Sequence, residues 1–216
     1  MKKTRHGVID VINLSSGTFI LRLDRKDFEF TAGQYVILRV PDQKDGREYS
    51  ISSGTADNYL DFLIREIPEG SFSGYLRNLE PGYELDVEGP KGFFIPDQKT
   101  IQGYPSVFIA TGTGISPFHS YIKSYPELNY TLLHGVRYAS ESCAREAFKA
   151  DKHIICSSRD NKGNYKGRVT DYLKESGFDK KAVYYLCGNA AMIDEVSRLL
   201  EDSGIRPENI RSEVYF

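Results

Sequence analysis

The sequence contains no tryptophan, two methionines and three cysteines in 216 residues. The cysteines, Cys143, Cys156 and Cys187, are scattered, odd in number and without a Cys-x-x-Cys pair. That argues against a disulfide framework, a zinc site or an iron–sulfur cluster within this chain. It also makes a reducing cytoplasm the expected compartment. No run of about eighteen apolar residues is present, so no membrane span is expected. Residues 2–5 are largely basic, but a charged, alternating segment follows where a secretory signal needs an apolar core. An excess of charge is missing too: the net charge is −2, which argues against nucleic acid as the main partner. What is there, 40% hydrophobic and 27% charged residues, is the composition of an ordinary globular protein of one large domain or two small ones.

The grammar of the chain changes near residue 100. Before it the apolar residues alternate with period two. Gly7 to Ile12 and Thr18 to Leu23 read as a hairpin around Ser15-Ser16-Gly17, followed by strands at Tyr35 to Val40, Arg47 to Ser53, Tyr59 to Ile67 and Leu85 to Glu88. Six short strands with turn signals between them predict an antiparallel β-barrel or sandwich. One helix interrupts, opened by Ser71 or Ser73 and closed by Pro81-Gly82. Asp97 to Tyr104 reads as a linker. Beyond it strands alternate with helices. Strands are predicted at Ser106–Ala110, Thr131–His134, His153–Ser157, Val183–Cys187 and Ile210–Tyr215. Helices are predicted after Pro117, over Ser140–Ala150, from a Thr170 cap to Ser176, and after Gly188-Asn189. This predicts a parallel α/β domain with ligands at the carboxyl ends of its strands. The boundaries expected are 1–100 for the barrel and 101–216 for the α/β domain.

Three stretches carry candidate chemistry. On a strand, Arg47 and Tyr49 point to one face about 7 Å apart. A planar cation and a flat ring at that spacing suit the phosphates and the ring system of a flavin, although such a pair is most often a solvated stripe. Gly70-Ser71-Phe72-Ser73 places glycine and serines at a helix start, where free N–H groups suit an anion or simply cap the helix. Thr111-Gly112-Thr113-Gly114-Ile115-Ser116-Pro117 runs from strand to turn to helix, the layout of a phosphate cradle, with Pro117 replacing the last glycine of the common dinucleotide fingerprint.

Arg137, Ser158 and Arg159 follow strand ends on the same side of such a sheet, and Arg168 comes after the loop Lys162–Lys166. Forked guanidinium donors there favour a monoester phosphate, hence NADP over NAD, against the bland reading of solvated arginines. Cys187-Gly188 ends a strand, and Cys187 alone reads as a small buried hydrophobe. The histidines show no metal spacing and receive no role.

These motifs, in this order, resemble the ferredoxin/flavodoxin–NADP reductases. The likeness rests on Arg47-x-Tyr49-Ser50, Gly70-x-x-Ser73, Gly112-Thr113-Gly114-x-x-Pro117, Cys187-Gly188-x-x-x-Met192 and the terminal Glu213-Val214-Tyr215-Phe216. It implies an enzyme that moves hydride between NADP(H) and bound FAD, then single electrons to or from a ferredoxin or flavodoxin. Alternatives are the NAD(P)H-dependent reductase of an oxygenase, a free-flavin reductase, or a non-enzymatic docking or regulatory subunit that keeps the fold. It implies that Arg47 pairs with the flavin pyrophosphate, Tyr49 packs on the isoalloxazine, Ser50 reaches flavin N5 and Ile51 lies beside them. Ser73 and its helix start then hold the pyrophosphate. Thr113 and Gly114 hold the NADP diphosphate. Arg137, Ser158, Arg159 and Arg168 grip the adenosine phosphate. Cys187 and Glu213 line the nicotinamide pocket, and Tyr215 covers the other flavin face, with Phe216 beyond it. Ser50 faces away from Tyr49 on a regular strand, so its role requires a bend there or a flavin ring presented edge-on. The segment between Ile67 and Gly70 is short, where plant-type members carry a longer loop over the FAD adenine, which keeps FMN as the alternative cofactor. A monomer is expected.

Overall fold

The computed structural model describes residues 2–15, 17–67, 71–143 and 145–215. The chain divides into two compact units. One runs to Ile95 and includes Ser116–Ser124; the other comprises Pro96–Ile115 and the chain from Tyr125 onward. None of the described helices is long and apolar enough to cross a membrane.

The first unit is the expected antiparallel barrel. Its strands are β1 (Lys2–Ser15), β2 (Thr18–Asp24), β3 (Tyr35–Arg39), β4 (Gly46–Ser50), β5 (Tyr59–Arg65) and β6 (Glu84–Lys91), in the order β4-β3-β6-β1-β2-β5. Just past β4, Ser52 donates its N–H to the Asp61 carbonyl of β5 at 2.8 Å, drawing the two edge strands together. Alternate residues of each strand fill the interior. Phe19, Leu21 and Leu23 of β2 meet Leu60, Phe62 and Ile64 of β5, Val36 and Leu38 of β3, and Leu85 and Val87 of β6. The first strand is longer than the sequence suggests because it serves two partners. Residues 2–7 pair with β6, and residues 8–15 pair with β2. Asp61 is buried on β5 and survives there because Arg22 grips it with two bonds, at 2.8 and 2.9 Å. Helix α1 (Ser71–Arg77) drops Leu76 into the same core.

In the second unit helix α2 (Gln98–Ile101) occupies the segment expected to be a linker. Asp97 caps it, accepting the Thr100 N–H at 2.9 Å, and the buried Thr100 hydroxyl meets the Tyr185 hydroxyl at 3.0 Å. Then come β7 (Ser106–Thr111), a 3₁₀ turn (Gly112–Ile115) leading into α3 (Ser116–Ser124), β8 (Tyr130–Val136), β9 (His153–Ser157), β10 (Tyr165–Lys166), α4 (Val169–Ser176), β11 (Val183–Asn189), α5 (Ala190–Asp202) and β12 (Ile210–Tyr215). Helix α3, although it follows β7 in the chain, belongs to the first unit, where the Tyr121 hydroxyl donates to the Phe94 carbonyl at 2.8 Å. The sheet is wholly parallel in the order β10-β9-β8-β7-β11-β12. The strand order reverses between β7 and β11, so those two carboxyl ends flank the switch point at which such sheets bind ligands. Helices α4 and α5 cover one face with Leu173, Ile193, Val196 and Leu200 over Ile109, Leu133, Tyr184 and Leu186.

Two helix predictions need correction. Among its described residues, Ser140–Ala150 forms only 3₁₀ turns, at Ala139–Glu141 and Arg145–Ala147. Just before this stretch side chains take two backbone donors: Glu141 accepts from Arg137 N at 3.1 Å, and Asp160 from Ala139 N at 3.1 Å. Helix α4 starts earlier than Thr170. Asp171 accepts the Arg168 N–H at 2.9 Å, which makes Arg168 the cap and leaves Thr170 buried inside the first turn.

Candidate functional site

In the barrel, β4 is an edge strand paired only with β3, in regular register: Arg47 opposite Leu38, Tyr49 opposite Val36, Ser50 opposite Tyr35. Tyr49 is half-buried against the core, and Phe72 of α1 lies nearly parallel to it, with ring centroids 6.4 Å apart. Burial pushes the Tyr49 phenol up to about 12, offset in part by the charge of Arg47, so the phenol is neutral at physiological pH. Arg47 is exposed and donates to the Gly46 carbonyl at 2.9 Å. The same-face pair read from the sequence is therefore present, and Phe72 backs it.

The bend expected at Ser50 is absent. The ladder runs regularly through Ser50, whose buried side chain lies on the face opposite Tyr49. The chain turns only afterwards, where Ile51 donates to the Gln34 carbonyl at 3.0 Å. Ser73 is buried, and its hydroxyl accepts the Ile67 N–H at 3.0 Å. Gly70 and Phe216 fall outside the described residues.

In the second unit the glycine turn and the Cys187 strand end are interlocked. A Cβ on Gly114 would stand 2.4 Å from the Cys187 carbonyl oxygen. The Thr111 hydroxyl accepts the Asn189 N–H at 2.9 Å, tying the end of β7 to the end of β11. Asn189 then caps α5, its side-chain Oδ1 accepting from Ala191 N at 3.0 Å and Met192 N at 3.3 Å. Gly112 has φ +53°, and a Cβ there would meet nothing within 4 Å, so this side of the turn is open. Cys187 pairs with Glu213 across β11 and β12, and Asn189 with Tyr215. Burial pushes the Cys187 thiol well above its ordinary value. Glu213 adds to that shift and the Tyr215 hydroxyl offsets part of it, so Sγ keeps its proton. The Met192 side chain is core, packed in the same cluster as Val196 and Leu200.

The basic residues gather as expected. Beyond the strand ends the backbone of β8 and β9 stays paired: Ser158 N donates to Val136 O at 3.1 Å and Arg159 N to Arg137 O at 2.7 Å. Gly167 N reaches Ser157 O at 3.0 Å, bringing Arg168 to the same edge. All three guanidinium-bearing side chains are exposed. Two contributors escaped the sequence reading. Asn189 was visible there only as part of a helix start. His134 is a buried polar residue in apolar β8, and its Nε2 lies 2.9 Å from the Gly112 carbonyl.

Residues 8–95 match the oxidoreductase FAD-binding domain family, and residues 108–198 match the oxidoreductase NAD-binding domain family. The chain belongs to the ferredoxin–NADP reductase-like oxidoreductases. Among curated relatives of this reductase family, the toluate 1,2-dioxygenase electron transfer component of Pseudomonas putida is 31% identical over 96% of this chain and 66% of its own length. The ferredoxin–NADP reductase B of Sorangium cellulosum is 28% identical over 90% of this chain and 88% of its own. The chain thus spans about two thirds of the dioxygenase relative. The ferredoxin NADP+ reductase of Neisseria gonorrhoeae, solved with FAD and NADP, has the same fold: TM-score 0.89, 21% identity, full coverage of both chains. FAD fits the residues present in this reductase-family barrel, which offer a partly buried flat ring backed by a second one, beside an exposed guanidinium. A dinucleotide fits the second unit, whose open glycine turn sits at the switch point.

Proposed function

We propose that the protein transfers reducing equivalents between NADP(H) and a flavin, FAD, bound by the barrel, and passes single electrons to or from a ferredoxin or flavodoxin. The observation that carries this reading is one chain holding both an aromatic–cation strand on an FAD-binding barrel and an interlocked glycine turn on a NAD-binding sheet. Bound FAD exchanges hydride with nicotinamide and electrons with a one-electron partner. Tyr49, fixed by Phe72, gives the isoalloxazine a flat wall, and Arg47 gives the pyrophosphate a forked donor, with the start of α1 beside it. The amides of Thr113 and Gly114 take the dinucleotide phosphates. Cys187 offers the nicotinamide a protonated, uncharged neighbour beside Glu213 and Tyr215. The protein acts as a monomer in the cytoplasm.

The arginine group supports NADPH over NADH, because three guanidiniums at one sheet edge exceed what a hydroxyl needs. A second reading concerns the acceptor alone. The dioxygenase relative, named as an electron transfer component, supports an oxygenase partner in place of a free carrier. Steady-state reduction of ferricyanide, a ferredoxin and a flavodoxin by the purified flavin-loaded protein tests both readings. The account expects ferricyanide and at least one carrier to be reduced, with higher kcat/KM for NADPH than for NADH. An NADH preference contradicts the role of the arginines. No reduction with either nucleotide contradicts the enzyme.

A further inference from the structure

His134 has no place in the sequence-level account, yet it lies under the nucleotide turn. Its ring is wholly buried on β8, nearly parallel to His153 with centroids 5.6 Å apart. Its Nε2 is 2.9 Å from the carbonyl oxygen of Gly112, the first residue of the turn, and its Nδ1 is 3.5 Å from the Ser142 hydroxyl. A carbonyl can only accept, so Nε2 carries a proton. Burial pushes this imidazole down to about 4, with the Gly112 bond partly offsetting it, so the ring is neutral at physiological pH and Nδ1 is bare.

A trans peptide is planar and holds its C=O and N–H on opposite sides. Fixing the Gly112 oxygen toward His134 therefore also fixes the Thr113 N–H, on the opposite side of the same peptide. Gly112, at φ +53°, has the conformational freedom to let this peptide turn over. The reversed peptide would strand a buried His134 donor, which is unfavourable.

We propose that His134 is a positioning residue of the nucleotide turn: its Nε2–H holds the Gly112 carbonyl and so sets the orientation of the Gly112–Thr113 peptide in the turn that receives the dinucleotide phosphates. The inference rests on the reading of this turn as the nucleotide site. It extends that reading, because the anion-binding geometry is set by a neighbouring strand and not by the turn sequence alone.

The test uses the flavin-loaded protein, NADP+ as probe and two variants. His134→Phe keeps a ring and removes the donor; His134→Gln keeps a donor of similar reach. The NADP+ dissociation constant should rise about tenfold in His134→Phe and stay within about threefold of the parent in His134→Gln. The flavin reduction rate at saturating NADPH should be unchanged in both. In the unsubstituted protein, long-range ¹H–¹⁵N spectra should show the Nε2–H tautomer of His134, a readout that stands even if His134→Phe does not fold. Equal losses in the two variants, no loss in His134→Phe, or an Nδ1–H tautomer overturns the inference. An unsubstituted protein that binds no NADP+ overturns the nucleotide-site reading and this inference with it, and that failure is visible before any variant is made.

Discussion

Tyr49 and Ser50 are adjacent in sequence and were assigned to one flavin, but the backbone separates them. Alternation, which sequence shows well, correctly joined Arg47 to Tyr49 and also warned that Ser50 faces the other way. The unbroken ladder to β3 upholds the warning. Phe72 was legible as a member of a serine-rich helix start, whereas its parallel ring beside Tyr49 depends on folding of the whole barrel. Arg137 and Arg159 were legible for the opposite reason: each closely follows a predicted strand, whereas Arg168 reaches the same edge through β10, a two-residue strand inside what reads as a loop. Their assignment gives a residue-scale prediction. Arg159→Ala should lower kcat/KM for NADPH about tenfold or more, since charge-assisted bonds contribute roughly 1.5–3 kcal/mol, and leave NADH kinetics within about twofold. Parallel steady-state kinetics with both nucleotides measure it, and equal losses would count against a phosphate-specific contact.

At the scale of elements, the strands and most helices were readable because period two and period 3.6 are strong signals. The failures share a cause. The 140–150 stretch has helical composition, yet just before it Asp160 takes the Ala139 N–H, and its described residues make 3₁₀ turns. Helix α2 forms from a presumed linker because Asp97 caps it and Tyr185, distant in sequence, anchors it. Such partners are invisible to any local window. The glycine turn makes the same point by contrast. Gly112 and Gly114 look alike in sequence, but Gly114 is pressed against the β11 backbone while Gly112 borders open space. Gly114→Ala should therefore destabilise the second unit by about 1–3 kcal/mol and abolish nucleotide binding, since backbone at 2.4 Å cannot yield cheaply. Gly112→Ala should cost only the strain of a left-handed residue, about 1–2 kcal/mol, with the fold intact. Thermal unfolding alongside NADP+ titration separates the two outcomes, and a well-folded, nucleotide-binding Gly114→Ala would contradict the interlocked turn.

For the molecule as a whole, the two units should respond to acid in different windows. His134, in the second unit, is held neutral in the fold down to about pH 4. Its unfolded form takes a proton near the ordinary histidine value of about 6.5, so stability present above that pH is lost as pH falls toward 4. In the barrel, burial acts to raise the Asp86 carboxyl, but Lys3 and Arg5 outweigh it and hold it below its usual range. Lys91 and Arg39 do the same for Glu88. Those contributions are present above the ordinary carboxylate values of about 4 and fade only below them. Hydrogen exchange followed by mass spectrometry near pH 5 should thus show weakened protection in the second unit and an intact barrel; the reverse order would contradict the assignment. The division into a barrel and a parallel α/β sheet was itself legible, because the change of period near residue 100 is abrupt. The central claim is that these units cooperate as a flavoenzyme, and an anaerobic absorbance titration tests it most directly. The purified protein should show flavin bands in the visible region, and they should bleach on stoichiometric NADPH and recover on adding ferricyanide. A protein that binds no flavin, or whose bound flavin stays oxidised with both NADPH and NADH, would contradict the account.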